Sequence, residues 1–312
     1  MATIKDFYLG ARPKTLSAAV SPVLIGLSLA GAQLLSQDIK CSANVICSNF
    51  AKLKQSLSFW DFIGCIIVGV ALQVGVNYAN DYSDGKKGTD KDRVGPMRLV
   101  GSGTASPKSV FIAMCVSFMV ASLAGLYLAS RSSWWLILVG VVCVSLAYLY
   151  TGTKLAYGYY GFGELVVFIT FGLTATVGTF YIFTGKITLL SIVGSFIPGM
   201  FSVAILLANN IRDIETDREA NKKTLPSRIG HKHSFLIFGI ANLLVYVAII
   251  IIGFRYHYVF IALIVIPFLG YINKSIVNAK TPKDYVDVLV NTSKINIVTS
   301  IAVSILIILS VL

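Results

Sequence analysis

Charge is what this chain has least of. Only 13% of its 312 residues are Asp, Glu, Lys or Arg, against roughly 25% in a soluble domain. Mean hydropathy is +0.78, and no run is polar enough to form a soluble domain, so the composition is that of a membrane protein. No Cys-x-x-Cys pair occurs among the five cysteines, which removes the usual zinc arrangement. The net charge of +12 has no soluble basic face to collect on. That argues against nucleic-acid binding and leaves the basic residues as topogenic signals. Of the two signs the acids are the scarcer, fourteen against twenty-six basic residues.

Long apolar runs are what the chain has instead. Charge-free stretches cover 15–37, 62–80, 109–130, 132–153, 165–185, 187–211, 233–254, 256–273 and 295–312. A spanning helix needs about 20 apolar residues, so the expectation is an all-α membrane protein of nine transmembrane helices. The first run is 23 residues long, beyond the roughly 7–15 of a signal-peptide core, so it reads as a retained helix. With the N-terminus placed in the cytoplasm, twenty basic residues fall inside and six outside. This follows the positive-inside rule and puts the C-terminus outside, in a multi-pass cell-membrane protein. Residues 1–312 read as one polytopic domain, with 38–58 as a polar outer-loop insertion.

Eight of the fourteen acids crowd into two short segments. One runs from Asn80 to Arg93 and holds Asp81, Asp84, Asp90 and Asp92. The other runs from Asn209 to Glu219 and holds Asp213, Glu215, Asp217 and Glu219. Each ends an apolar run, and both fall on the cytoplasmic side. Carboxylates are costly near lipid, so they face polar cavities and mark function. Gln73, Asn77, Asn80 and Asp84 recur at helical spacing, as do Asn210, Asp213 and Asp217, so each helix carries a polar stripe on one face. A merely solvated helix end accounts for Glu215 and Glu219 but poorly for Gln73 and Asn77, deep in an apolar run.

Hard oxygen ligands suit Mg2+ and similar ions. Magnesium typically takes one or two carboxylates and fills its other positions with water and substrate phosphates. Two separated Asp groups fit that habit better than a closed cage. Arg93, Arg98, Lys222 and Arg228 lie near enough in sequence to hold outer phosphate oxygens, and a Gly95-Pro96 turn would aim Arg93 and Arg98 inward. Arg12 either marks the membrane boundary or contacts the acceptor. The reaction these features suggest is ionisation of a prenyl diphosphate, with metal stabilising the departing charge and an apolar tunnel keeping water from the allylic cation. A divalent-cation or phosphate transporter is the competing reading. It is disfavoured because both clusters lie at one face, whereas transporter sites sit near the midplane.

At these residues the chain resembles the UbiA superfamily of intramembrane prenyltransferases, and most closely the branch that prenylates 1,4-dihydroxy-2-naphthoate. The resemblance is carried by Gly10 to Leu16, Asn80 to Gly103, Tyr150 to Lys154, Gly161 to Glu164 and Asn209 to Gly230. It implies a UbiA-type bundle around a cytoplasm-facing cavity, with Asp81, Asp84, Asp90, Asp213 and Asp217 binding metal and diphosphate. Asn77, Asn80, Asn209 and Asn210 would line the substrate site. Tyr150 and Lys154 match a family segment near diphosphate and acceptor. The first motif departs from the family's usual spacing: Gly88 stands where its last Asp is expected, and Asp90 follows two residues later. The implied reaction joins polyprenyl diphosphate to 1,4-dihydroxy-2-naphthoate, with loss of carbon dioxide, to give a demethylmenaquinol. Other acceptors, such as 4-hydroxybenzoate, stay open. Glu164 is either a helix N-terminal residue favoured by the dipole or a proton-handling group.

Overall fold

The structure is a computed structural model that describes residues 2–38, 57–87, 97–150 and 156–312. Asp90, Arg93, the Gly95-Pro96 turn, Lys154 and nearly all of the 38–58 insertion lie outside the described residues. Among the described residues, besides two short 3-10 turns at Pro13–Thr15 and Tyr157–Tyr160, eleven helices follow in order: α1 (Ile4–Gly10), α2 (Ser17–Asp38), α3 (Phe59–Lys87), α4 (Pro107–Arg131), α5 (Leu136–Leu149), α6 (Gly163–Thr184), α7 (Leu189–Arg212), α8 (Ile214–Glu219), α9 (Leu225–Arg255), α10 (His257–Asn278) and α11 (Pro282–Leu309). There is no strand among the described residues.

Eight of these helices are long and apolar enough to cross a membrane: α2, α3, α4, α6, α7, α9, α10 and α11. The protein is a multi-pass membrane protein. The expected span at 132–153 corresponds to α5, which has only 14 residues. At 1.5 Å per residue that is about 21 Å, short of the ~30 Å hydrocarbon core. The expected loop 274–294 also differs, because α11 begins at Pro282. Its start is set by local chemistry. Thr281 and Asp284 form a reciprocal capping box and Pro282 occupies the first turn, where its missing N–H costs nothing. Charge stopped the apolar count at Lys294 but did not stop the helix.

Backbone shape is set by small residues at one crossing. Residues Phe168–Thr174 of α6 are wound as a π-helix and press against α7. A β-carbon on Gly172 would lie 2.9 Å from the α-carbon of Gly199, and the reverse holds too. Two bare backbones therefore touch, the arrangement by which membrane helices gain dispersion contacts without a hydrophobic drive.

The apolar interior is divided. The larger core unites α2 with α6, α7 and α9–α11 through Ile25, Phe180, Phe201, Phe238 and Leu269. A separate core joins α1, α3, α4 and α5 through Tyr78, Leu99, Val110 and Ala147. One acidic segment belongs to each: Asp81 and Asp84 end α3, and Asp213 and Asp217 follow α7.

Candidate active site

A cavity of about 310 Å³ lies between the two cores. Along α3 its wall runs from Cys65 through Gly69, Leu72 and Val76 to Asp84. Those nineteen steps cover about 28 Å at 1.5 Å per residue. Its deep part is apolar, with Val23, Leu128, Val139 and Ile182 in the wall. Its mouth is polar.

The stripe expected on α3 faces this cavity: Gln73, Asn77, Asn80 and Asp84 all line it. Asn77 also donates through Nδ2 to the Ala11 carbonyl at 2.9 Å, tying α3 to the turn that carries Arg12. Arg12 lines the cavity too and adopts a left-handed backbone with φ of 56°. Across the mouth stand Asn209, Asn210, Lys222, Arg98 and Tyr150. Arg228 is not among them; it is exposed and lies beside Gly161.

Asp81 and Asp84 share a helix but not a direction. Asp81 is turned from the cavity and buried, with 1% exposure. Its carboxylate accepts from the backbone N–H of Leu99 at 2.6 Å and of Val100 at 3.0 Å. Both oxygens of an expected metal ligand are thus engaged in holding a loop, and that loop carries Arg98. Asp84 faces the mouth, 3.6 Å from the Arg98 guanidinium.

The two acidic segments meet through a residue that sequence reasoning passed over. Tyr159 donates its hydroxyl to Asp84 Oδ1 at 3.1 Å. Lys222 places its ammonium 5.3 Å from the centre of the Tyr159 ring and 3.7 Å from Asp217 Oδ1. The Tyr159 carbonyl accepts from the Lys223 N–H at 3.1 Å, which fixes the approach of the two loops. Asp217 further accepts from Thr224 Oγ1 at 3.0 Å. The available signal was a tyrosine in the Gly-flanked turn Tyr157-Gly158-Tyr159-Tyr160-Gly161, joining two spans on the acidic side.

Asp213 caps the end of α7 and is gripped by its neighbour. The Arg212 guanidinium donates to Asp213 Oδ1 at 2.7 Å and Oδ2 at 2.8 Å, and to Asn209 Oδ1 at 2.8 Å. Glu164, buried at the start of α6, accepts from Asn210 Nδ2 at 2.9 Å. Tyr150 stacks edge-on with Tyr157 at 5.4 Å between centroids.

Three basic side chains stand beside three carboxylates, Arg98 by Asp84, Arg212 by Asp213 and Lys222 by Asp217; of these six, Arg98, Asp84 and Lys222 line the cavity. Paired carboxylates at such a wall carry little net charge of their own, so an anionic ligand would need further cations to enter. The acceptor groups available are all hard oxygens, from carboxylates and amides, which fits magnesium and not zinc. Among the described residues no three His, Cys, Asp or Glu side chains converge as a ready metal cage. An ion held here would therefore draw part of its shell from substrate and water, as magnesium does at phosphates.

Fold and site define an intramembrane enzyme with a polar mouth suited to an anionic head and an apolar cavity suited to a hydrocarbon tail. Comparison with known proteins identifies the kind. The UbiA prenyltransferase family matches over residues 43–294, and the chain belongs to that family. It is a prenyltransferase. A 1,4-dihydroxy-2-naphthoate octaprenyltransferase of Mycobacterium leprae is 43% identical over 234 residues, covering 75% of this chain and 72% of that protein. One of the same description from Bacillus subtilis is 30% identical over 289 residues, covering 91% and 86%. Among solved structures, a UbiA homolog from Aeropyrum pernix superposes with a TM-score of 0.61 at 13% identity, covering 94% of this chain and 98% of that one. A UbiA homolog from Archaeoglobus fulgidus, bound to DMAPP and Mg2+, gives a TM-score of 0.56 at 14% identity over 96% and 98%. These likenesses bear out the helical membrane fold and set aside the transporter reading.

Proposed function

We propose that this protein transfers a polyprenyl group from polyprenyl diphosphate to 1,4-dihydroxy-2-naphthoate with loss of carbon dioxide, in a menaquinone pathway. The observation that carries the reading is the junction of Asp84 and Asp217 through Tyr159 and Lys222, at the mouth of a cavity whose depth is apolar. The naphthoate acceptor is supported by the relatives of that description. The mouth faces the cytoplasm, following the twenty-to-six split of basic residues, in the plasma membrane.

The residues divide the work by chemistry. Asp84, Asp213 and Asp217, with the amide oxygen of Asn210, would hold Mg2+, which would supply positive charge to the leaving diphosphate. Arg98 and Lys222 hold outer phosphate oxygens, Arg98 with a planar fork suited to two of them. Asp81 keeps the Arg98 loop in place through its two backbone amides. Val23, Leu128, Val139 and Ile182 surround the tail and keep water from the allylic carbon. Tyr150 stands where its ring face can meet positive charge on the migrating group, and Arg12, in the cavity wall, would meet the acceptor's carboxylate. Asp90, Arg93 and Lys154 stay with the site by resemblance alone.

Purified protein should prenylate 1,4-dihydroxy-2-naphthoate and leave 4-hydroxybenzoate unreacted. EDTA should stop turnover and Mg2+ restore it. Preference for 4-hydroxybenzoate would overturn the acceptor assignment, and indifference to chelation would overturn the metal.

A further inference from the structure

Asn209 and Asn210 are adjacent, both line the cavity mouth, and each has one end of its amide tied to a partner of fixed sign. Arg212 only donates hydrogen bonds, so the atom of Asn209 that meets it at 2.8 Å must be the carbonyl oxygen. An ionised Glu164 carboxylate only accepts, so in that form the atom of Asn210 that meets it at 2.9 Å is the amide nitrogen, as the structure has it. The orientation of a buried amide usually rests on a choice between nearly identical ends. Here the chemistry of the partners makes the choice. The two side chains are therefore locked in opposite senses. Asn209 keeps its NH2 group for the cavity, and Asn210 keeps its carbonyl oxygen.

We propose that Glu164 and Arg212 are positioning residues that give the mouth a donor–acceptor pair: the Asn209 amide N–H for a diphosphate oxygen, and the Asn210 carbonyl oxygen for the divalent cation. Asn210 and Asp213 are three residues apart on one helical face, so that carbonyl stands beside the second acidic segment. Glu164 is well placed for the task because it is held rigidly. It is buried at the first turn of α6, and among the described residues the one other side chain its carboxylate bonds is Asn210. A buried carboxylate carrying a single amide bond contributes little to stability, since burial is costly and one hydrogen bond returns only part of that. Orientation of its partner is the service it performs. The inference deepens the proposed diphosphate chemistry and rests on that reading for the identity of the anion.

The test measures Mn2+ binding to the full-length protein in detergent, by electron paramagnetic resonance, without any substrate. Glu164→Gln keeps the shape but lets either amide end face Asn210. Binding should weaken five- to tenfold. The double variant Glu164→Gln with Asn210→Asp reverses the pair, so that the glutamine donates and an aspartate oxygen still faces the mouth. It should bring Mn2+ affinity back to within about twofold of wild type, a rescue that a merely structural glutamate would not give. Asn209→Asp turns the donor into an acceptor. It should raise KM for the prenyl diphosphate at least tenfold while leaving substrate-free Mn2+ affinity within about twofold. Wild-type Mn2+ affinity in Glu164→Gln, or a double variant no better than the single, overturns the inference, as does wild-type protein that holds no Mn2+. Wild-type protein that holds Mn2+ and shows the predicted pattern, yet fails to prenylate dihydroxynaphthoate, overturns only the acceptor reading.

Discussion

Asp81 and Asp84 lie one turn apart, yet the chain spends them differently. Asp84 faces the cavity, whereas Asp81 satisfies two buried backbone N–H groups. Asp81→Ala would orphan those groups and forfeit charge-assisted bonds, a cost of about 2–5 kcal/mol. The variant should show a lowered thermal midpoint without ligand, whereas Asp84→Asn should keep its midpoint and lose Mg2+-dependent turnover. Equal midpoints in the two variants would refute the division of labour. Tyr159→Phe makes a finer probe, because the ring that meets Lys222 stays and only the hydroxyl to Asp84 goes. Removing one hydrogen bond to a charged acceptor costs about 1.5–3 kcal/mol. The kcat/KM for the prenyl donor should therefore fall by about one to two powers of ten. At this scale the sequence was readable for Asn77, Asn80 and Asp84, because burial of polar residues in an apolar run is itself a signal. It was not readable for Asp81, since a motif position does not say which way the helix turns it. Tyr159 was hidden for another reason: its partners lie 75 and 63 positions away.

At the scale of elements, apolar count located most helices but not their ends. α3 runs on to Lys87 and α11 starts at Pro282, each beyond its charge-free stretch, because caps and turn chemistry end helices while charge merely ends lipid contact. The short α5 shows the converse: a charge-free run of full length yielded a helix of 14 residues. What hydropathy cannot show at all is where backbones touch. At the α6–α7 crossing, Gly199→Ala places a methyl group 2.9 Å from the Gly172 α-carbon, and overpacking of that kind costs about 1–3 kcal/mol. Gly239, in α9, has open space where its β-carbon would lie. Gly239→Ala should be neutral or stabilise by up to about 1 kcal/mol through helix propensity. Thermal midpoints of the pair test this: the first should fall and the second should not. A fall in both would mean that helix-wide tolerance, and not that crossing, sets the result.

Two large cores flank the reaction cavity, a small third cluster of Val23, Cys65 and Leu128 joins α2, α3 and α4 in its wall, and each large core contributes one acidic segment. That the segments share a face was legible from the alternation of basic loops, since four of the expected charge-free spans, the run 132–153 among them, separate residues 81 and 213. That they belong to separate cores was not, because core membership depends on contacts far apart in the chain. The division has a thermodynamic consequence. A metal–diphosphate unit that touches both segments cross-links the cores, and ligands bound only by the folded form stabilise it by about 2.7 kcal/mol at one hundred times Kd. A non-reactive prenyl thiodiphosphate with Mg2+ should therefore raise the unfolding midpoint of the wild type. Asp84→Asn and Asp213→Asn should each remove most of that rise, because either one opens the cross-link from its own side. The double variant should lose scarcely more than a single one, since a bridge already broken at one end stabilises nothing at the other. Additive losses would instead mean two independent half-sites, with each core holding its own share of the ligand and no cation spanning the cavity.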